Sequence, residues 1–139
     1  MTEVDFYILA REDPAERPNF ACRRVDKAFR QGHRGYLHAA TEQQAHQLDE
    51  LLWGFRPQSF LPHGLLGAEH RDRIAIGWGN DPAEHDDVMI NLDLAVPDFV
   101  GRFRRVAEVV VQAPAVAEPL RKSYRFYKDR GYPLTNHRL

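Results

Sequence analysis

The stretch that decides the fold of this 139-residue chain is GYLHAATEQQAHQLDELL, residues 35–52. Its first five residues are rich in strand formers and predict a short buried strand. Thr41 follows as the N-cap of a helix, and Gln44 at the third helical position completes a capping box. A strand followed directly by a helix is the repeating unit of an α/β domain. The apolar residues expected on the buried side of this helix are Ala45, Leu48, Leu51 and Leu52.

The same order of elements occurs once before this stretch. Residues 5–9, DFYIL, form an apolar run that predicts a first strand buried on both faces. Residues 11–18 contain two prolines and mixed charges, which indicates a loop. Asn19 is predicted to cap a helix that runs to about Gln31 and ends at Gly32. Strand, helix, strand, helix in this order predicts a parallel sheet with right-handed crossovers.

The rest of the chain continues the α/β pattern and contains no linker or repeat. Residues 53–63 have large apolar groups and two prolines but neither a helical nor a strand period. We therefore expect a single domain over residues 1–139, with a three-layer arrangement of a mostly parallel sheet between helices. The further predicted elements are strands at 73–77, 88–92 and 106–111, a polar loop at 80–87 and a short helix at 98–103.

Composition and charge narrow the class of protein. Hydrophobic residues make up 43% and charged residues 28% of the chain, which is typical of an ordinary globular domain. The N-terminus does not resemble a signal peptide, and no apolar run is long enough for a membrane span. Cys22 is the only cysteine, so an intrachain disulfide is impossible and a cytoplasmic location is expected. A calculated pI near 6.7 argues against general DNA binding through a basic surface.

The last predicted helix, which ends at Gly131, carries the clearest functional signal. Residues 119–139 contain six Lys and Arg and one acid, a local net charge of +5 in a chain whose net charge is −1. The helix is either a solvated charged face over core tyrosines or an anion-binding surface. The aromatic stripe consists of Leu120, Tyr124 and Tyr127, and the cationic stripe beside it consists of Arg121, Arg125 and Lys128.

The sequence proposes neither a catalytic site nor a metal or cofactor site. The turn after the first strand, residues 10–14, has no glycine that would let backbone amides approach a pyrophosphate, and no P-loop pattern occurs. The seven histidines show no i, i+4 pair and no neighbouring cysteine. Cys22 lies on the apolar face of its predicted helix and is expected to be a small core residue. What remains is binding surface.

A second candidate surface lies in the proline-broken stretch after residue 52. Trp53, Phe55, Phe60 and Leu61 are crowded together there. Such residues either seal the edge of the core or form a docking patch, where aromatic anchors dominate binding energy.

Three stretches together resemble the chi subunit of bacterial DNA polymerase III. Residues 48–53, LDELLW, followed by residues 59–63, SFLPH, are similar to the central signature of that family. Residues 124–132, YRFYKDRGY, are similar to its C-terminal signature, and the strand at residues 6–9 also fits. Each motif is short, but they occur in the family's order and spacing across almost the whole chain.

The resemblance implies a small α/β domain with a nucleotide-binding-like topology, no nucleotide site and no catalytic activity. It implies two protein partners in DNA replication. One is the psi subunit, which attaches chi to the clamp loader. The other is the C-terminal tail of single-stranded DNA-binding protein, an acidic peptide that ends in a phenylalanine carboxylate. DNA is then contacted only indirectly, and no membrane is involved.

The resemblance also assigns site residues, and the physical pattern agrees with the assignment, because an acidic tail with a terminal aromatic needs cations beside an apolar slot. Position 125 is Arg where the best-known members have Lys. Pro119 is expected to fall in the first turn of the basic helix. The residues assigned to the tail are Val110, Leu120, Arg121, Tyr124, Arg125, Tyr127 and Lys128, and those assigned to psi are Trp53, Phe60, Leu61 and Pro62.

Two other classes of function stay open at the level of sequence. A small α/β enzyme or nucleotide-binding protein could use Arg121 and Arg125 toward phosphate. A direct nucleic-acid binder could stack bases on the tyrosine–arginine face of the last helix.

Overall fold

A computed structural model describes residues 1–55, 62–66 and 74–139. Within these ranges the chain forms seven β-strands, three α-helices and one 3₁₀ helix, and no helix there is long and apolar enough to cross a membrane. The elements in chain order are β1 (Glu3–Ile8), α1 (Glu16–Arg30), β2 (Gly35–Ala39), α2 (Glu42–Phe55), β3 (His63–Leu65), β4 (Ile74–Trp78), β5 (Val88–Asn91), a 3₁₀ helix (Val100–Arg102), β6 (Arg105–Val110), α3 (Pro114–Asp129) and β7 (Leu134–Arg138).

All seven strands belong to one sheet in the order β3-β4-β2-β5-β6-β1-β7, and every pair is parallel. Strand residues alternate between the two faces of the sheet. Tyr7 and Leu37 belong to the core packed under α1 and α2, whereas Phe6 and Tyr36 belong to the core that includes Tyr127 of α3. The three-layer α/β fold predicted from the alternation of elements is thereby confirmed.

The predicted strands are close to those observed. The strand predicted at residues 35–39 is found at those residues, and the others shift by one or two residues at their ends. The helix predicted at 98–103 is a single 3₁₀ turn. The expectation of no regular structure in 53–63 is wrong at both ends of that stretch, because α2 extends to Phe55 and β3 begins at His63.

The first helix begins earlier than predicted. It starts at Glu16, so Asn19 lies inside the helix and is not its cap. The chain turns into the helix at Asp13, whose Oδ1 accepts a hydrogen bond of 3.0 Å from the backbone N–H of Ala15. Pro18 falls in the first helical turn, where backbone N–H groups have no intrahelical partner, so the proline costs the helix little.

The predicted cap of α2 is present with one difference. Thr41 Oγ1 accepts a 3.1 Å hydrogen bond from the Gln44 backbone N–H, as a capping box requires. The Gln44 side chain accepts a 2.7 Å hydrogen bond from the backbone N–H of Ala40, one residue before the N-cap.

Leu51 was predicted to be buried and is 37% exposed, because it lies on the outer side of the helix. The other three apolar residues of the predicted buried side are buried: Ala45, Leu48 and Leu52.

The C-terminal region departs most from prediction. The helix α3 begins at Pro114, so Pro119 lies inside the helix and the expectation of a later helix start is wrong. Proline is favourable at the first helical position, and Pro114 supplies that start. The helix ends at Gly131 as predicted, with φ of 79°. The chain then continues into β7, which was not predicted and pairs with β1 along its length.

Candidate functional site

A groove of about 500 Å³ lies between α3 and β7 on one face of the sheet. Four residues assigned to the tail from sequence line it together, and β7 adds a wall that the sequence did not predict. The four are Val110, Leu120, Arg121 and Tyr124.

The floor of the groove is apolar. Phe6 and Ile8 on β1 are two residues apart, so both side chains point to the α3 face of the sheet. Ile8 pairs with Val110 on β6, which places these two aliphatic side chains next to each other. The Phe6 ring packs edge-to-face on Tyr124 with 5.0 Å between ring centroids. The floor and the helix wall are therefore joined by direct ring contact.

The helix α3 forms one wall of the groove, where the apolar side chain of Leu120 is followed directly by the cationic side chain of Arg121. Leu120 is buried, whereas Arg121 is exposed and Tyr124 is half-buried. Residues 120, 121 and 124 occupy one side of the helix because three or four residues make one turn. The helical spacing found in the sequence correctly brings these three residues to one site.

Tyr127 belongs to the core beneath the groove and does not line it. The residue has 0% exposure, and its hydroxyl donates a 2.7 Å hydrogen bond to Glu108 Oε2. Asn91 Nδ2 donates to the same carboxylate at 3.1 and 3.3 Å. Burial raises the pKa of Glu108 to about 7 against the lowering effect of these bonds. The assignment of Tyr127 to ligand contact does not fit this position, and its role is to hold α3 on the sheet.

Arg125 and Lys128 continue the cationic stripe of α3 outside the groove. Both are exposed, and neither is among the residues that line the cavity. They lie one and two turns beyond Arg121 on the same side of the helix. They can attract an anion toward the groove but do not form its wall.

The second wall is β7, whose contribution sequence reasoning missed. Asn136 and Arg138 line the groove from this strand. Asn136 Nδ2 donates a 3.5 Å hydrogen bond to the Tyr124 hydroxyl, so the two walls touch. The signal available in the sequence was the excess of cations after residue 119, which includes Arg138. The strand itself lacks apolar alternation and could not be identified.

The electrostatic character of the groove is positive. Its lining includes two guanidinium groups, on Arg121 and Arg138, and no carboxylate from the described part of the chain. Neither arginine forms an ion pair with another described residue, whereas Arg105 is paired with Glu3 at 2.9 Å. An anion entering the groove therefore meets cations that are not already neutralised.

The residues assigned to psi lie in a different part of the molecule. Trp53 is 58% exposed on α2, and its ring meets the His63 ring at 4.7 Å between centroids. Pro62 is half-buried at the start of β3. Phe60 and Leu61 lie outside the described residues. This surface is beside β3, at the sheet edge opposite β7.

The arrangement closest to a catalytic one is buried. Tyr36 and His38 share a 3.2 Å hydrogen bond, and Asp93 Oδ2 lies 4.0 Å from His38 Nε2. His38 is only 2% exposed, and burial lowers its pKa. Burial likewise raises the pKa of the Cys22 thiol to about 12. Among the described residues no group of three His, Cys, Asp or Glu could hold a metal ion.

A family model and three related proteins all point to the same family. The model of the family described as "DNA polymerase III chi subunit, HolC" matches residues 1–135. A DNA polymerase III subunit chi from Pseudomonas aeruginosa is 48% identical, with 100% of this chain and 98% of the relative covered. The subunit chi of Haemophilus influenzae is 28% identical, with 98% and 96% covered, and that of Escherichia coli is 27% identical, with 96% of each covered.

A search of solved structures adds information on the fold alone. Domain 2 of the DEAD-box helicase Mss116p, solved bound to an RNA duplex, superimposes with a TM-score of 0.66 at 12% sequence identity. The match covers 97% of this chain and 64% of that chain. The fold is therefore shared with a helicase domain.

Proposed function

The chain belongs to the DNA polymerase III chi subunit family and is a replication accessory subunit, and we propose that its groove binds the acidic C-terminal tail of single-stranded DNA-binding protein. With a psi subunit bound elsewhere, this contact tethers the clamp loader to coated single-stranded DNA. The tethering role requires no catalysis and accords with a cytoplasmic location.

The observation that carries the proposal is an apolar floor placed beside unpaired cations. Ile8 and Val110 form a surface on which an aromatic ring can lie, and Tyr124 closes one side of it. Arg121 on the adjoining wall has no ion-pair partner among the described residues and can donate hydrogen bonds to a carboxylate. A peptide that combines a terminal aromatic ring with negative charge is complementary to both features.

The exposed cations of α3 support the same partner. Arg125 and Lys128 extend the positive charge away from the groove, in the direction that upstream acids of a bound tail could follow. Such exposed pairs contribute only about 0–1 kcal/mol each and are screened by salt. Most of the affinity should therefore come from the terminal residue, and the upstream acids should mainly accelerate association.

Calorimetric titration with a synthetic acidic peptide that ends in phenylalanine tests the proposal. We expect saturable binding that weakens as salt rises, and we expect deletion of the final phenylalanine to weaken binding by about tenfold or more. Bare single-stranded DNA of equal charge is the matched control. Tight binding of that DNA with no binding of the peptide would contradict the proposal and favour direct nucleic-acid recognition.

For the psi subunit, we propose the surface around Trp53 and Pro62. Trp53 is 58% exposed, so apolar area is available for a partner there. The sheet has seven strands spaced about 4.8 Å apart, and β3 and β7 are its two edges. The two proposed sites are therefore separated by the width of the sheet, and both partners can bind at once.

A further inference from the structure

Arg138 and Arg121 line the groove from opposite walls, one on β7 and the other on α3. We propose that these two guanidinium groups together hold the terminal carboxylate of the bound peptide, and that Arg138 enforces the requirement for a free C-terminus. The inference rests on the proposed function of the groove. Arg138 lies on β7, beyond the family's C-terminal signature at residues 124–132.

The strand register places Arg138 beside the apolar floor. Arg138 pairs with Ile8 on β1, and Ile8 pairs with Val110 on β6, so the three residues form one row across three strands. All three line the same groove and so point to the same face of the sheet. Two strand spacings separate Arg138 from Val110, roughly 10 Å. A ring lying on Ile8 and Val110 leaves its own carboxylate beside the arginine.

The charge of Arg138 is available to a ligand. It has no ion pair with another described residue. Arg105, by contrast, is shared between Glu3 at 2.9 Å and Asp5 at 3.5 Å. A carboxylate arriving at Arg138 does not have to displace an existing acidic partner, so more of the interaction energy appears as affinity.

The backbone around Arg138 is held in place before any ligand arrives. The backbone N–H of Leu139 donates a 3.0 Å hydrogen bond to the carbonyl of Ile8. Asn136, two residues before Arg138, is bonded to the Tyr124 hydroxyl on the helix wall. Contacts on both sides of Arg138 therefore hold the strand backbone at the groove wall, so binding does not have to order this segment.

The chemistry favours arginine for this role. A guanidinium group offers parallel N–H donors that match the two oxygens of a carboxylate. Amidation of the peptide removes one negative charge and replaces one acceptor oxygen by a donor. Arg125 does not line the groove, so it should sense the total charge of the peptide and not its terminal group.

The experiment compares the free-acid and amidated forms of the same acidic peptide ending in phenylalanine. Each is titrated by calorimetry into the wild-type protein, Arg138→Gln and the control Arg125→Gln. We expect the wild type to bind the amide about tenfold more weakly than the acid. Arg138→Gln should reduce this ratio to about twofold or threefold, while Arg125→Gln weakens both peptides by a similar factor and keeps the ratio.

The outcomes distinguish failure of the proposed function from failure of the carboxylate contact made by Arg121 and Arg138. If the wild type binds neither peptide, the proposed function fails, and the proposed role of Arg138 fails with it. If the wild type binds the free acid and Arg138→Gln keeps the full wild-type ratio of acid to amide affinity, only the role of Arg138 is overturned. Thermal melting confirms that each variant is folded. Arg138→Lys provides a second, charge-conserving variant, and its ratio should fall between those of the wild type and Arg138→Gln.

Discussion

The Tyr127 hydroxyl donates a 2.7 Å hydrogen bond to Glu108 Oε2 and joins α3 to a central strand of the sheet. This contact fixes the height of the helix above the floor of the groove. Glu108 is fully buried, and burial raises its pKa to about 7 from an ordinary value near 4.5. The carboxyl group therefore links the stability of the folded protein to pH.

The first prediction concerns stability against pH. The folded protein holds the Glu108 proton more tightly than the unfolded chain, so the stability that this group contributes is lost as pH rises from about 4.5 to about 7. Between pH 5 and 8 the wild type should lose about 1–3 kcal/mol more unfolding free energy than Glu108→Gln. His38 and His85, whose pKa values burial lowers, act with the opposite sign in both proteins.

Urea unfolding of both proteins at several pH values measures this difference, and the histidine contributions cancel in the comparison. Parallel stability curves for the wild type and Glu108→Gln would show that Glu108 has the same proton affinity in the folded and unfolded states, which would contradict the prediction.

The second prediction separates the two cations of α3. Arg121→Ala should weaken binding of the acidic peptide by about 1–3 kcal/mol, the range of a hydrogen bond to a charged group. Arg125→Ala should cost less, about 0.2–1 kcal/mol, because this side chain is exposed outside the groove. Titrations at low and high salt check this: the Arg125→Ala effect should disappear at high salt. Equal losses for both variants at every salt concentration would mean that Arg125 contacts the peptide as directly as Arg121 does, which would contradict the prediction.

The third prediction concerns the opposite edge of the sheet. Trp53→Ala should weaken binding of a psi subunit by about tenfold or more, because exposed aromatic anchors dominate interface energies. Binding of the acidic peptide should be unchanged, since β3 and β7 are at opposite edges. Leu51→Ala, on the same helix, is the matched control and should have a smaller effect. Loss of both activities together with a large fall in melting temperature would identify Trp53 as a structural residue.

The extent to which the fold could be predicted follows from the burial of its strands. Central strands such as β5 and β6 are covered on both faces, so their sequences, VMIN and RVAEVV, are mostly apolar and rich in Val, which makes them easy to identify. The edge strand β7, with sequence LTNHR, is mostly exposed and depends on its pairing with β1. Its structure is decided by tertiary contacts, so the sequence pattern gave no sign of it.

In the candidate site, too, residues carried by one helix could be grouped from the sequence, whereas positions that depend on tertiary contacts could not. Helical spacing brought Leu120, Arg121 and Tyr124 together correctly because one helix carries all three. Spacing could not show how deep Tyr127 lies, since that depends on the position of Glu108 across the sheet. Arg138 was missed because its strand was missed.

The fourth prediction concerns Pro119, which lies inside α3 against expectation. Proline lacks the backbone N–H that would bond to the carbonyl of Ala115, so it weakens the helix. Pro119→Ala should raise the unfolding free energy by about 1–2 kcal/mol, after allowance for the greater freedom of the unfolded chain. Thermal and urea unfolding check the change, and peptide binding should be unaltered. A loss of stability would mean that the proline ring contributes packing that outweighs the missing hydrogen bond.

Amide chemical-shift mapping by NMR would locate the bound peptide on the protein. The protein is labelled with ¹⁵N and titrated with the acidic peptide that ends in phenylalanine. We expect the largest shifts on three elements around the groove, at Ile8 on β1, Leu120 and Arg121 on α3, and Arg138 on β7. Shifts concentrated on α1 or around Trp53, with the groove residues unchanged, would contradict this expectation.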